Sequence, residues 1–164
     1  MKTLWAPWRM EYILEAKEDK SEGCIFCEKP GEKNNRKNLI VFKAHYCFVM
    51  LNKYPYNNGH VMIIPYIHVA DPLLLDDKTL LEVQHTINKS IRVLRQTMEP
   101  HGLNIGMNLG RTAGAGIDDH VHWHLVPRWN GDTNFMPVIS ETKVLSEALD
   151  KTWSKLNRAF KNLE

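Results

Sequence analysis

The sequence has little of what marks membrane, secreted or nucleic-acid-binding proteins. No stretch approaches the ~20 consecutive apolar residues that span a bilayer, and the first residues contain no apolar signal core. Positive side chains exceed negative ones by only two and form no basic block, so we expect neither a nucleic-acid nor a membrane partner. Three cysteines are too few to suggest a secreted disulfide framework. Together these absences predict a cytoplasmic protein.

What is present predicts one globular domain with both helices and strands. A chain of 164 residues, 43% of them hydrophobic, can build one sizeable core without a second domain. Helical spacing of apolar residues predicts a long helix from Leu80 to Met98, with Asp76 or Asp77 as its N-cap, and a C-terminal helix over 144–160. Short β-prone runs predict five strands, at 39–42, 46–51, 60–65, 103–109 and 120–126. This order favours an α+β fold with a mainly antiparallel sheet.

The last predicted strand carries three histidines at alternate positions, His120, His122 and His124. Alternate side chains of a strand line one face, so all three imidazoles are expected to point the same way. A buried histidine is usually a hydrogen-bonded core residue, but three in register bring three donors and three acceptors that packing alone would leave unpaired. The run therefore predicts a site for a metal, an anion or a covalent intermediate.

The segment before these histidines has the composition of an anion-binding loop. Gly110, Gly114 and Gly116 lie within seven residues of one another and follow a predicted strand. Glycine lets backbone N–H groups approach a ligand without obstruction by a Cβ atom, although ordinary turns use glycine too. The position beside three histidines favours a phosphate-binding loop next to a nucleophile.

Cys24 and Cys27 form a Cys-x-x-Cys pair, whose spacing suits two thiolates on one metal ion. A tetrahedral zinc site needs two more ligands, commonly histidines. The alternative is a free or redox-active pair, but the surrounding sequence has no thioredoxin-like βαβ pattern. A structural zinc ion is therefore the expected cofactor.

The run from His120 to Val126 resembles the motif of the histidine-triad (HIT) family, in which three histidines alternate with apolar residues. The stretch from Leu51 to Pro65 is similar to the nucleoside-binding strand pair of that family. The resemblance implies a HIT-like fold with a five-stranded sheet, one long central helix and a C-terminal helix. It divides one domain, 1–164, into an N-terminal arm (1–38), a HIT core (39–129) and a C-terminal extension (130–164).

Roles for individual residues follow from this resemblance. It implies that His122 is the nucleophile, that His124 and Asn108 contact phosphate, that Asn52 contacts a ribose and that His60 supports the active-site strand. From the residues alone, Asn52 and Asn108 are equally typical of ordinary loops. Since this chain has one more residue than expected before the triad, the resemblance leaves two candidates for the phosphate-facing glycine, Gly114 and Gly116.

The same resemblance extends to the metal site. Zinc-bearing members imply His120 and His68 as the ligands that complete the set begun by Cys24 and Cys27. The first triad histidine would then be structural while the second reacts.

Two flanking segments, Leu4 to Met10 and Pro127 to Phe135, are similar to bacterial members that act on diadenosine tetraphosphate as hydrolases or phosphorylases. This implies a homodimeric enzyme that cleaves dinucleoside polyphosphates at the α-phosphate through a nucleotidyl-histidine, with water or inorganic phosphate as acceptor. Arg111, Thr112 and Arg128 are expected near the phosphate loop, where they would hold a second oxyanion.

Two other functions fit the same residues. One is a metal-dependent hydrolase in which all three triad histidines bind a catalytic zinc ion. The other is a non-catalytic nucleotide-binding protein that keeps the pocket and acts through partner contacts.

Overall fold

The computed structural model describes residues 23–133 and 146–163. The segment Leu4 to Met10, the end of the segment 127–135, and the start of the predicted C-terminal helix at 144–145 therefore lie outside the described residues. One-turn 3-10 helices occupy Lys29–Gly31, Pro72–Leu74 and Arg111–Ala113. The main elements are α1 (Ile25–Glu28), β1 (Ile40–Lys43), β2 (Cys47–Leu51), β3 (Val61–Pro65), α2 (Asp77–Met98), β4 (Gly102–Met107), β5 (Trp123–Arg128) and α3 (Leu149–Asn162).

The five strands form one sheet in the order β1-β2-β3-β5-β4, with every neighbouring pair antiparallel. This confirms the predicted α+β class and the five-stranded antiparallel sheet. His124 on β5 lies opposite Met62 on β3 and Gly106 on β4, which places it in an interior strand of the sheet.

Alternation along the strands separates two apolar faces. On one face, α2 packs on β2, β3 and β5, while α3 packs on β1 and on α2. The other face carries a smaller buried cluster to which α1 contributes Phe26. Members of this second cluster are Phe26, Ile40, Phe48, Met50, Met62 and Ile64.

The long helix α2 begins as its capping residue predicts. The Asp76 carboxylate accepts a hydrogen bond from the Thr79 amide at 2.8 Å, so Asp76 rather than Asp77 is the N-cap. The helix ends at Met98, where Glu99 has a left-handed backbone with φ 46° and Pro100 prevents continuation. Among the described residues, no helix is long and apolar enough to cross a membrane.

A close approach fixes the turn that precedes β3. Gly59 has φ 72°, and a Cβ atom there would collide with Sδ of Met98 and lie 3.3 Å from Cγ of Pro127. The end of α2 thus packs directly on the backbone beside His60. A residue with a Cβ atom at position 59 would force the Met98 side chain to move and would strain the backbone, whose positive φ favours glycine.

The histidine run differs from the prediction at its start, because β5 begins at Trp123 and not at His120. The amide of Val121 donates to the carbonyl of Val69, 2.7 Å away, and Val69 belongs to no strand of the sheet. His120 and His122 therefore precede the strand. The three rings still lie on one side of the sheet, since Phe26 contacts His120 and His122 and the ring of His122 contacts that of His124.

Candidate active site and metal cluster

A chain of hydrogen bonds assigns the protons of His60 and His124. The Tyr56 amide donates to Nδ1 of His60 at 3.1 Å, so the proton of a neutral His60 is on Nε2. That Nε2 lies 2.9 Å from Nδ1 of His124 and donates to it. His124 therefore carries its own proton on Nε2, which is left as a hydrogen-bond donor.

Burial keeps His124 uncharged. Desolvation, followed by the charge of His122, lowers the pKa of His124 to about 4. The ring centroids of His122 and His124 are 4.8 Å apart. At neutral pH the site thus offers a neutral N–H donor directly beside His122.

In His122 the proton is on Nδ1, whereas in His124 it is on Nε2. Nδ1 of His122 lies 2.8 Å from the carbonyl oxygen of His120, and because a carbonyl only accepts, this nitrogen carries the proton. Nε2 then holds a lone pair. His122 is 5% exposed, and desolvation lowers its pKa although the hydrogen bond to His120 acts in the other direction. A neutral imidazole with a free Nε2 is chemically competent as a nucleophile.

His120 belongs to a second cluster. Its Nε2 donates to the carbonyl of Pro65 at 2.9 Å, which leaves Nδ1 unprotonated. That Nδ1 lies 3.4 Å from Sγ of Cys24 and 3.6 Å from Sγ of Cys27. Both nitrogens of His120 are thus committed. A single metal bound by His120, His122 and His124 together is not supported by this arrangement.

Cys24, Cys27, His68 and His120 form a possible metal site. Nδ1 of His68 lies 3.3 Å from Sγ of Cys27, and the four ligand atoms all lie within 4.8 Å of one another. Two sulfur and two imidazole donors make the set that tetrahedral zinc prefers. Oδ2 of Asp119 lies 3.7 Å from Nε2 of His68, where it can orient that ring as a carboxylate behind a metal ligand does. The residues present fit the ion.

Asn52 and Asn108 lie at opposite corners of the histidine face. Asn52 follows β2, its amide donates to the carbonyl of His60 at 3.0 Å, and its Oδ1 accepts from Tyr54 at 2.9 Å. Asn108 follows β4, which lies three strands away at a spacing of about 4.8 Å each. The two side chains can therefore bracket one elongated ligand across His124 but cannot hold the same group.

The glycine loop is tied to this face. Nδ2 of Asn108 donates to the carbonyl of Gly114 at 3.3 Å. Gly110 and Gly114 have φ of 76° and 95°, a backbone that favours glycine, whereas Gly116 is not among the positive-φ residues. Arg111 closes the loop by donating from Nε to Asp118 at 2.9 Å. The conformation thus requires glycine at 114 but not at 116.

The prediction that Arg128 holds a second oxyanion is wrong. Its Nε and Nη2 donate to Asp132 at 2.6 and 2.9 Å, and Nη1 donates to Asn104 at 2.9 Å. This pairing lowers the pKa of Asp132 to about 2. Arg128 also ends β5, six residues beyond His122, a separation on the order of 20 Å in an extended chain. Arg111 and Thr112 remain at the loop, both exposed.

Two residues that contact the histidines, Tyr56 and Phe26, were not predicted from the sequence. The ring of Tyr56 stacks on His60 with centroids 4.8 Å apart, and no sequence pattern indicates this. Phe26 is 1% exposed and packs against His120 and His122. An apolar residue inside the Cys-x-x-Cys pair was the available indication for Phe26.

Fold and sequence together define the class of protein. Residues 33–131 match the sequence profile of the HIT domain, so the chain belongs to the HIT domain family. These residues enclose the predicted core, 39–129.

Particular relatives narrow the comparison. Over 158 residues the chain is 38% identical to the AP-4-A phosphorylase of Mycobacterium tuberculosis. The aligned region covers 93% of this chain and 80% of the relative. A hypothetical histidine triad nucleotide-binding protein from Sulfolobus tokodaii has a TM-score of 0.68 at 26% identity, over 85% of this chain and 93% of that one. A Zn-bound histidine triad family protein from Mycobacterium smegmatis has a TM-score of 0.67 at 23% identity, over 87% of this chain and 96% of that one.

Proposed function

We propose that this protein cleaves dinucleoside polyphosphates of the diadenosine tetraphosphate type, by transfer of a nucleotidyl group through His122. Membership of the HIT domain family and the similarity to an AP-4-A phosphorylase support a nucleotidyl hydrolase or transferase. The observation that carries the proposal is the hydrogen bond from Nδ1 of His122 to the His120 carbonyl, which leaves Nε2 free to attack.

In the first step, Nε2 of His122 attacks the α-phosphorus. A P–N bond forms, the bond from the α-phosphorus to the bridging oxygen breaks, and the remaining nucleotide leaves with that oxygen. Negative charge on the phosphoryl oxygens is stabilised by Nε2–H of His124, which His60 orients. In the second step, an oxygen of water or inorganic phosphate attacks the same phosphorus and the P–N bond breaks.

The bound nucleotide would lie diagonally across the histidine face. Asn52 at one corner contacts the ribose, while Asn108 and the glycine loop at the other corner contact the phosphate. Of the two candidate glycines, Gly114 is preferred because its positive φ turns the backbone at the point where Asn108 holds it. Gly116 could contribute a backbone amide to the phosphate site, but its backbone conformation does not call for glycine.

A structural zinc ion is the cofactor that we propose for Cys24, Cys27, His68 and His120. When bound, the ion joins α1 to the start of the histidine run and contributes its binding free energy to folding. The Zn-bound relative from Mycobacterium smegmatis adds support, and the chemistry at phosphorus remains with His122 and His124.

Inorganic phosphate is the acceptor that the similarity to an AP-4-A phosphorylase favours. Arg128 ends β5 and is held by Asp132, so Arg111 at the glycine loop, which pairs with Asp118 through Nε, is the cation that we propose for a second oxyanion. The two acceptors give different products from diadenosine tetraphosphate, since phosphate yields ADP with ATP and water yields AMP with ATP.

A phosphate titration with product analysis tests this proposal. We expect ADP to appear in proportion to phosphate, and an unchanged AMP yield with no ADP would leave a hydrolase. His122→Asn should lower turnover by about two to four orders of magnitude. If the unmodified protein binds the dinucleotide and no nucleotide product forms under any condition, the non-catalytic alternative is correct.

We also propose that the chain functions as a single domain and that two copies form a homodimer. β4 is an edge strand of the sheet among the described residues, and Ile105 on it is 47% exposed. Leu109, just beyond the strand, is exposed to the same extent. A second copy covering this edge would pair its backbone and bury both side chains. Light scattering should give twice the mass of the chain, and Ile105→Lys should shift it toward the monomer.

A further inference from the structure

Phe26 joins the metal cluster to the histidine that we propose as nucleophile. It lies in the single turn of α1, between Cys24 and Cys27, and its side chain is 1% exposed. Its ring meets His120 edge-on with centroids 5.5 Å apart, and meets His122 at 5.1 Å with a 59° tilt. One aromatic ring thus contacts a metal-ligand candidate and the nucleophile candidate.

The position of Phe26 depends on the residues around it. A helix of four residues does not hold its shape alone. The carbonyl of Cys24 accepts from the amides of Cys27 at 2.9 Å and Glu28 at 3.1 Å, which closes the turn. The ring then packs in the cluster of Phe48, Met50 and their neighbours on the sheet. Both cysteines and this cluster therefore fix where the ring lies.

His122 needs such a contact because its hydrogen bond leaves the ring partly free. The last torsion of a histidine side chain has a broad, roughly two-fold energy profile. The bond from Nδ1 to the His120 carbonyl selects one nitrogen, and a ring packed against the imidazole restricts the remaining rotation. Both restraints originate at the metal cluster, one through His120 and one through Phe26.

We propose that Phe26 is a positioning residue for His122, whose ring keeps the imidazole in the orientation and tautomer required for attack on phosphorus. This inference rests on the proposed function. Phe26 touches no reacting atom, so its loss should lower the rate of the chemical step and leave substrate affinity nearly unchanged.

Phe26→Leu tests this role, and Phe48→Leu is the matched control. Phe48 is fully buried in the same cluster but stacks on Tyr66, at a centroid distance of 5.4 Å. Both variants remove one buried aromatic ring and should lose similar stability. We expect Phe26→Leu to lower kcat by about 10- to 100-fold, the range for a misplacement of about 1 Å, with KM changed less than about twofold. Phe48→Leu should keep kcat within about threefold of the unmodified protein.

The ¹⁵N NMR signals of the His122 ring provide a second readout at fixed alkaline pH. The unmodified protein and Phe48→Leu should show one tautomer with the proton on Nδ1, and Phe26→Leu a mixture. Metal content, measured by elemental analysis, should be equal in all three. If Phe26→Leu does not fold, Phe26→Met keeps most of the side-chain volume and takes its place.

Equal kcat values and one His122 tautomer in both Leu variants would overturn the positioning role. That result is separate from failure of the proposed function, which His122→Asn reports by retaining turnover.

Discussion

Nε2 of His60 lies 2.9 Å from Nδ1 of His124, and this contact determines which nitrogen of His124 carries the proton. The amide of Tyr56 supplies the preceding hydrogen bond and thereby fixes the tautomer of His60. A backbone group in the loop before β3 thus orients two imidazoles in series. His60 acts on the site through His124 and is a positioning residue.

Removing this contact should slow the reaction. In His60→Leu, Nδ1 of His124 loses its donor, so the proton can move to Nδ1 and Nε2–H is no longer fixed toward the phosphate. We expect kcat to fall by about 10- to 100-fold, measured with diadenosine tetraphosphate. His85→Asn, at an exposed position of α2, is the control and should keep full activity. Full activity in His60→Leu would contradict the assigned proton positions.

Acid should destabilise the fold through His124 and His122, whose pKa values are both lowered by burial. Between a folded pKa of about 4 for His124 and an unfolded value near 6.5, the unfolded chain binds the additional proton. Stability from this group is therefore complete above about pH 6.5 and is lost as the pH falls toward 4. Thermal unfolding of the protein and of His124→Asn across this window should show a smaller acid loss in the variant. Equal losses of thermal stability with falling pH in the two proteins would contradict this role of His124.

The metal cluster should stabilise the fold. Cys24→Ser removes one of four ligands, so bound metal and Tm should fall together. Cys47→Ala is the matched control, because the Cys47 side chain is buried beside Thr86 in the core cluster on the helix side of the sheet, and it is not one of the four ligand candidates. The control should lower Tm while metal content, measured by elemental analysis, stays unchanged. No metal in protein purified without chelator would contradict the zinc proposal.

Local patterns predicted much of the fold. Asp76, one of the two predicted N-caps, begins α2, and the predicted last residue, Met98, ends it, because capping and helical spacing act within a few turns of the chain. The Cys-x-x-Cys pair and the resemblance to the family predicted the four residues that lie together in the metal cluster.

Long-range contacts account for what the sequence left open. β5 begins only at Trp123 because Val121 pairs with Val69 outside the sheet, and residue spacing carries no information about that partner. Arg128 turns away from the phosphate loop because Asp132 and Asn104 hold its guanidinium. The place of Phe26 against His122 likewise depends on how α1 packs on the sheet.

The central claim, that Nε2 of His122 forms a bond to phosphorus, is tested most directly by trapping the intermediate. The protein is mixed with diadenosine tetraphosphate in the absence of phosphate, quenched in alkali within one turnover, and its peptides are analysed by mass spectrometry. We predict an adenylylated peptide with the modification on His122, absent from His122→Asn. A modification on another residue, or turnover with no adduct at any quench time, would contradict the covalent mechanism.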